Sequence, residues 1–534
     1  MPKDIDKAVE LYEQALAKGR IDAATKLGDL YRQGATNGLD PSKALGYYEQ
    51  ALKAGDLGAK AGMASLYVDG VVVSRDIPRA LALYDEVLSS GGTWAASSLA
   101  SLYLKGAEFG LDPVKALDYY EQAVRAGDIS ALVSLGNIYR DGKIVSKDAV
   151  KAVEFYEQAL SKGRIDAATK LGDLYRQGAT DGLDASKALG YYEQAIKTGD
   201  LGAKAGMANL YADGVVVPRD IPKALARYED VVTSGGTWAL SSLAALYAKG
   251  AEVGLDPAKA VGYYEQAVQA GDVSALVSLG NIYRDGKIVA RDATKAIDYF
   301  ERAYAAGRKT ALASAINVAM SGTTAQQRQG HELIAKGQAE MAPGVASALA
   351  NALLSGSGIA KNPTKAVAIL KQASAAGDAA AASTLIQLYA QGRGEDVKKN
   401  LTLARTTLNQ FAGAMSPEQR DGDALFLEAA SASSRNQYAA LMEKIDALAS
   451  SSAKASFVGR LRWANSNAYV YLLQSKLKET GAYAGQLNGT LTGATIKAFN
   501  AFCTSRQMKQ PCSEGPLSRS ALGVFQDFLR ETKT

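Results

Sequence analysis

In the stretch KALGYYEQALKAG, from Lys43 to Gly55, the apolar side chains Ala44, Tyr48, Ala51 and Leu52 recur at steps of three and four. That spacing places them on one face of a helix with the polar residues opposite, and predicts a helix over 41–53. Asp40 followed by Pro41 reads as an N-cap with proline at the first helical position, and Asp112-Pro113 and Asp256-Pro257 repeat it. Gly55 supplies a left-handed stop, and a second helix follows with Ala59, Met63, Leu66 and Tyr67 on its apolar face before Gly70 ends it. Position 28 and its equivalents hold only Gly or Ala (Gly28, Ala64, Ala100, Gly136), which predicts a close approach of two helix backbones there.

The pattern repeats every 36 residues, marked by Gly19, Gly55, Gly91 and onward to Gly307, and by Tyr12, Tyr48, Tyr84 and onward to Tyr264 and Phe300. A hairpin of this size buries too little apolar surface to fold alone, so each must lean on its neighbours. The predicted fold class is all-α, an α-solenoid of 36-residue helical hairpins with a small C-terminal helical domain. The text GRIDAATKLGDLYRQGAT stands at Gly19–Thr36 and again at Gly163–Thr180, four periods on. A block of four hairpins was therefore copied whole, giving near-identical blocks at 5–148 and 149–292 and a ninth repeat reaching 325.

The segment AGDISALVSLGNIYRDGKIVSKDAVKAVEFYEQA, Ala126–Ala159, resembles the Sel-one-like repeat, a relative of the tetratricopeptide repeat. Ala131, Leu135, Gly136, Tyr139, Gly142, Asp148, Lys151, Ala152, Tyr156 and Ala159 carry the match. The resemblance covers roughly residues 5 to 405 and implies a right-handed solenoid that serves as an interaction scaffold and is seldom catalytic. It is similar in kind to the periplasmic scaffold of alginate and exopolysaccharide secretion.

After Gly322 the register slips, and degenerate and terminal repeats are expected over 326–411, then a helical cap or connection over 412–462. From 463 to 534 the chain resembles the peptidoglycan-binding-like three-helix domain, on Leu473, Gln474, Leu477, Gly481, Tyr483, Gly485, Asn488, Gly489, Gly493, Thr495, Ala498, Phe499 and Phe502. The resemblance implies either glycan binding or simple docking. Cys503 and Cys512, the two cysteines of the chain, flank a loop short enough to close as a disulfide. Closed, they mean an oxidising compartment and a periplasmic protein; as free thiols they fit a cytoplasmic one.

Composition narrows the chemistry. The 534 residues include 60 basic and 55 acidic side chains spread along the length, for a net charge of +5, so no basic block suggests nucleic acid. No apolar run is long enough to span a membrane. One histidine, His331, and two cysteines leave too few residues for histidine-based catalysis or a zinc site, so no catalytic residue, cofactor or metal is expected. Recurring carboxylates occupy capping and solvent positions rather than one asymmetric constellation, which disfavours a glycoside hydrolase. The candidate binding surface is a repeated aromatic and basic row, Tyr47, Tyr119, Tyr191, Tyr263 and Tyr299 with Arg32, Arg140, Arg176 and Arg284, able to stack sugars or hold uronic acids. The competing expectation is that these tyrosines fill the seam between hairpins. Expected partners are envelope or polysaccharide-secretion proteins, with polysaccharide or peptidoglycan as the alternative.

Overall fold

The computed structural model describes residues 5–33, 39–177, 183–214, 216–249, 255–448, 451–505 and 512–531. Contacts divide the chain into two units, residues 1–206 and 207–534. The first unit runs through α1 (Ile5–Ala17), α2 (Asp22–Arg32), α3 (Lys43–Leu52), α4 (Leu57–Asp69), α5 (Ile77–Ser89) and α6 (Ala95–Lys105). It continues through α7 (Lys115–Arg125), α8 (Ile129–Asp141), α9 (Ala149–Ser161), α10 (Asp166–Gln177) and α11 (Lys187–Ile196). The fold is an α-solenoid of paired helical hairpins, as the periodicity predicts.

The pairing has a phase that periodicity does not reveal. α2 packs on α3 across the longer loop, and α4 on α5, α6 on α7 and α8 on α9 do the same, each more extensively than α3 packs on α4 across the Gly55 turn. The reason is the recurring tyrosine. A Cβ on Gly28 would come within 2.5 Å of the Tyr48 ring, on Gly136 within 2.5 Å of Tyr156, and on Gly172 within 2.5 Å of Tyr192. The small residue at position 28 therefore makes room for an aromatic ring, not for a second backbone as the composition of that position suggests. Tyr48 is clasped from the other side by Gly62, where a Cβ would lie 2.3 Å from the ring.

No single centre organises the core. One cluster joins Val9, Leu27, Tyr31, Tyr48, Met63 and Leu66; the next joins Ala64, Ile77, Tyr84, Val87, Leu99 and Leu102; a third joins Ala100, Tyr120, Leu135 and Ile138. Each fully buried leucine, such as Leu27 or Leu99, contributes about 2 kcal/mol of apolar burial. Stability is thus a sum of nearest-neighbour seams.

The aspartates cap. Asp56 Oδ1 accepts the Ala59 amide at 3.0 Å, Asp76 the Arg79 amide at 3.0 Å, and Asp148 the Lys151 amide at 3.0 Å. Asp40, Asp112 and Asp256 do not cap the regular helices as expected: their carboxylates accept the Ser42, Val114 and Ala258 amides at 3.0, 3.0 and 2.9 Å in a preceding turn, and the helices begin at Lys43, Lys115 and Lys259. Gly55 and Gly70 take positive φ of 78° and 68°, as the helix stops require.

In the second unit hairpins continue, including Lys259–Gln269, Val273–Asp285 and Ala293–Ala305. The register slip after Gly322 coincides with Thr324–Ala339, a helix of 16 residues opened by a full capping box between Thr323 and Gln326. Helices Pro363–Ala375, Ala379–Gln391 and Leu401–Phe411 follow. Pro417–Ser431, Arg435–Asp446 and Ser451–Ala464 occupy the predicted connection, and Ser466–Glu479, Gly493–Ser505 and Arg519–Glu531 the C-terminal segment.

Candidate interaction surface

The predicted aromatic row lies in the seams. Tyr47 stacks on Tyr31 with centroids 5.4 Å apart, Tyr119 on Tyr103 at 5.4 Å, Tyr191 on Tyr175 at 5.5 Å, Tyr263 on Tyr247 at 5.2 Å and Tyr299 on Tyr283 at 5.8 Å. All five are half-buried. Three also reach back to the preceding repeat: Tyr47 donates to Glu13 at 3.2 Å, Tyr191 to Glu157 at 2.8 Å and Tyr299 to Glu265 at 3.4 Å. Burial, then the Glu13 carboxylate, pushes the Tyr47 phenol up to about 12. One ring face and, in three cases, the hydroxyl are thereby committed to packing.

A lysine that the sequence reading noted only as part of the repeat motif completes each stack. Lys43 sits over the Tyr31 ring at 5.5 Å, Lys115 over Tyr103 at 5.8 Å, Lys151 over Tyr139 at 5.0 Å and Lys187 over Tyr175 at 5.5 Å. The lysine three residues after the capping aspartate is thus a cation–π lid on a two-ring stack. Its recurrence was visible in the motif, but its purpose depends on a ring one helix earlier.

The arginines are engaged too. Arg32 Nη1 lies 3.0 Å from Asp69, Arg140 Nε 2.7 Å from Asp141, and Arg284 Nε 2.8 Å from Asp285. Arg176 is half-buried near the end of α10, beside the Tyr192 hydroxyl. The structure does not bring arginines and seam tyrosines into one platform. It sets Arg32, Arg140 and Arg176 instead beside a second, buried tyrosine row: Tyr48 donates to Asp29 at 2.8 Å, Tyr156 to Asn137 at 2.8 Å and Tyr192 to Asp173 at 2.8 Å, while Tyr84 and Ser65 share a 2.8 Å bond.

The Tyr84–Ser65 pair of that row lines a cleft of about 770 Å³ in the first unit. α2 contributes Arg32, α4 Ser65 and Asp69, α5 Tyr84, and α6 Ser98, Ser101 and Lys105. The turn after α4 adds Val71 and Arg75, and Phe109 also lines the cleft. Sequence periodicity conceals this feature because it depends on where three successive repeats differ.

A family model described as the Sel1 repeat matches ten stretches: 1–19, 21–56, 58–86, 95–128, 129–163, 165–200, 202–226, 239–272, 273–307 and 345–378. Together they span more than half of the chain. It belongs to the Sel1 repeat family. No curated relative matches the sequence. Among solved structures, a protective antigen of uropathogenic Escherichia coli strains displaying an SLR fold is 20% identical, over 91% of this chain and 99% of that one, with a TM-score of 0.39. A Sel1 repeat protein from Oxalobacter formigenes is 22% identical, over 57% of this chain and 91% of that one, with a TM-score of 0.42. A Pseudomonas aeruginosa protein is 21% identical, over 41% and 82% of the two chains, with a TM-score of 0.31. Sel1 repeat proteins in general act as protein-interaction scaffolds rather than catalysts.

Beyond the Sel1 repeats, several of the residues that carry the peptidoglycan-binding-like resemblance hold the C-terminal segment together. Gln474 is fully buried, and its amide uses every valence. Its Oε1 accepts the Asn488 and Gly489 amides, each at 3.0 Å, and its Nε2 reaches Asn488 Oδ1 at 3.1 Å, Thr490 O at 3.0 Å and Thr495 Oγ1 at 3.1 Å. Leu473, Leu477, Thr495 and Phe499 are buried around it. Cys503 and Cys512 are joined as a disulfide, with Cα atoms 6.3 Å apart. The loop between them at 506–511 lies outside the described residues. His331 Nε2 lies 2.9 Å from the Gly358 carbonyl, a local contact between a helix and the turn that follows Val345–Ser355. Among the described residues there is no cluster of metal-ligating side chains, and no helix is long and apolar enough to cross a membrane.

Proposed function

We propose that this Sel1 repeat chain is a non-catalytic adaptor of the bacterial envelope, holding partner proteins during exopolysaccharide assembly or secretion. The observation that carries the adaptor reading is how the polar chemistry is used. Asp56, Asp76 and Asp148 cap helices, and Asp29 and Asp173 accept from buried tyrosines, so these carboxylates are committed to holding hairpins together. What the repeats leave open is the side-chain row between helices, a surface suited to binding rather than bond-breaking. Direct sugar stacking on Tyr47 and its equivalents is disfavoured, since each ring already lies against another.

The envelope assignment draws on the Cys503–Cys512 pair, which suits an oxidising compartment, and on the resemblance of the C-terminal segment to an envelope docking domain. Alkylation of protein taken directly from cells tests it: a maleimide should label the two cysteines only after reduction. Labelling without reductant would return the protein to the cytoplasm. Crosslinking in cells should trap polysaccharide-export proteins, and a hydrolysis product from acidic polysaccharide would overturn the adaptor reading.

A further inference from the structure

We propose that the cleft between α2, α4 and α6 receives an extended acidic segment of a partner protein, one that sets an apolar side chain against Val71 and a carboxylate against Lys105 and Arg75. This rests on the adaptor reading and gives it a chemistry.

Charge selects the partner's sign. Arg32 and Asp69 neutralise each other across a 3.0 Å ion pair. Arg75 and Lys105 remain as cations on the cleft, and Asp69 is the one carboxylate among the described residues that line it. Arg75 is held in place by its bond to the Val68 carbonyl at 3.1 Å and by lying 5.4 Å from the Phe109 ring centroid. A guanidinium fixed in this way is pre-organised for a carboxylate, which lowers the entropy lost on binding.

The same contact argues for peptide over sugar. A saccharide needs a bare aromatic face, yet the Phe109 ring carries Arg75 and Tyr84 is 5% exposed. What the cleft offers is an aliphatic side chain, Val71, at 75% exposure, on a lining that also carries Ser98 and Ser101. A lining that mixes aliphatic and hydroxyl side chains suits the side chains and amides of an extended peptide.

The duplication supplies variants that should fold. At the step of 144 the sequence keeps Arg176, Asp213, Arg219 and Lys249 but has Ala245 for Ser101 and Val253 for Phe109. Ser101→Ala with Phe109→Val therefore installs residues that the second block carries naturally.

The test is selection from a displayed random library of peptides about 12 residues long on the full chain, with titration of the enriched peptides. Enrichment of sequences combining Asp or Glu with an apolar residue is expected. Their affinity should fall roughly tenfold or more with Lys105→Glu, fall several-fold with the Ser101→Ala, Phe109→Val pair, and weaken with added salt. Circular dichroism should show both variants folded. Enrichment of basic or uncharged peptides, or acidic peptides whose affinity Lys105→Glu leaves unchanged, would overturn the proposal. So would tighter binding of an oligoglucuronate than of any selected peptide. If crosslinking in cells still traps the same partners in the Lys105→Glu chain, the cleft proposal falls while the adaptor reading stands.

Discussion

The repeat array and the C-terminal segment are both helical, yet they are held together in opposite ways. In the array each stabilising device is copied: the tyrosine against a glycine, the lysine over a ring, the aspartate on a helix start. In the C-terminal segment the devices occur once. Gln474 alone ties Asn488, Gly489, Thr490 and Thr495 to its helix. At the junction Asp423, fully buried, accepts from both Ser383 and Arg460. A copied device spreads risk, whereas a single one concentrates it, and the two regions should respond to mutation accordingly.

The sharpest way to break this comparison is Gln474→Ala. It leaves two amide donors and a carbonyl without partners in a buried site, at a cost on the order of 3 kcal/mol or more. Hydrogen exchange should show protection lost across 466–505 while the repeats keep theirs; uniform loss would mean the two regions are not independent. Gly28→Val comes next, because it drives a branched side chain into the Tyr48 ring at a cost of about 1–3 kcal/mol. Exchange should rise in α1–α4 and leave α8–α11 unchanged, as expected if each seam bears on its neighbours alone. Lys115→Ala removes one cation from a ring whose other contacts persist, and denaturant titration should show a loss of about 0.5–1 kcal/mol.

The last test is a pH dependence confined to alkaline conditions. Burial holds the Tyr156 phenol up at about 12, and burial with Glu13 does the same for Tyr47, above the ordinary value near 10. A raised folded-state value favours the protonated phenol, so this stabilisation is fully present below about pH 10 and is lost as pH rises through about 12. Thermal melts followed beside tyrosinate absorbance should decline over that window, and a decline beginning near neutrality would contradict the assignment.

Much of the fold was legible because a period of 36 is a property of the chain itself. Helix faces and the Gly55 and Gly70 stops follow from residues within a few positions of one another, where local sterics and backbone hydrogen bonding decide; the Asp-Pro caps expected at Asp40, Asp112 and Asp256 sit instead in the turn before each regular helix. The candidate surface was legible only in part. Tyr47 and its equivalents were identifiable as recurring aromatics, but nothing local says whether a ring faces solvent or another ring. That depends on Tyr31, sixteen residues earlier on a different helix.

The sequence by itself determined the all-helical repeat, its register and the copied block, since each is written in spacing and local conformational preference. Tertiary structure alone decided which helices pair most closely, that Gly28 yields space to an aromatic ring, and that the predicted tyrosines lie in the seams while a polar cleft opens elsewhere. The physical reason is that side chains choose between water and one another only after the helices carrying them are placed, and an almost identical repeat gives every seam the same text while small differences such as Ser65, Ser101 and Phe109 shape the cleft.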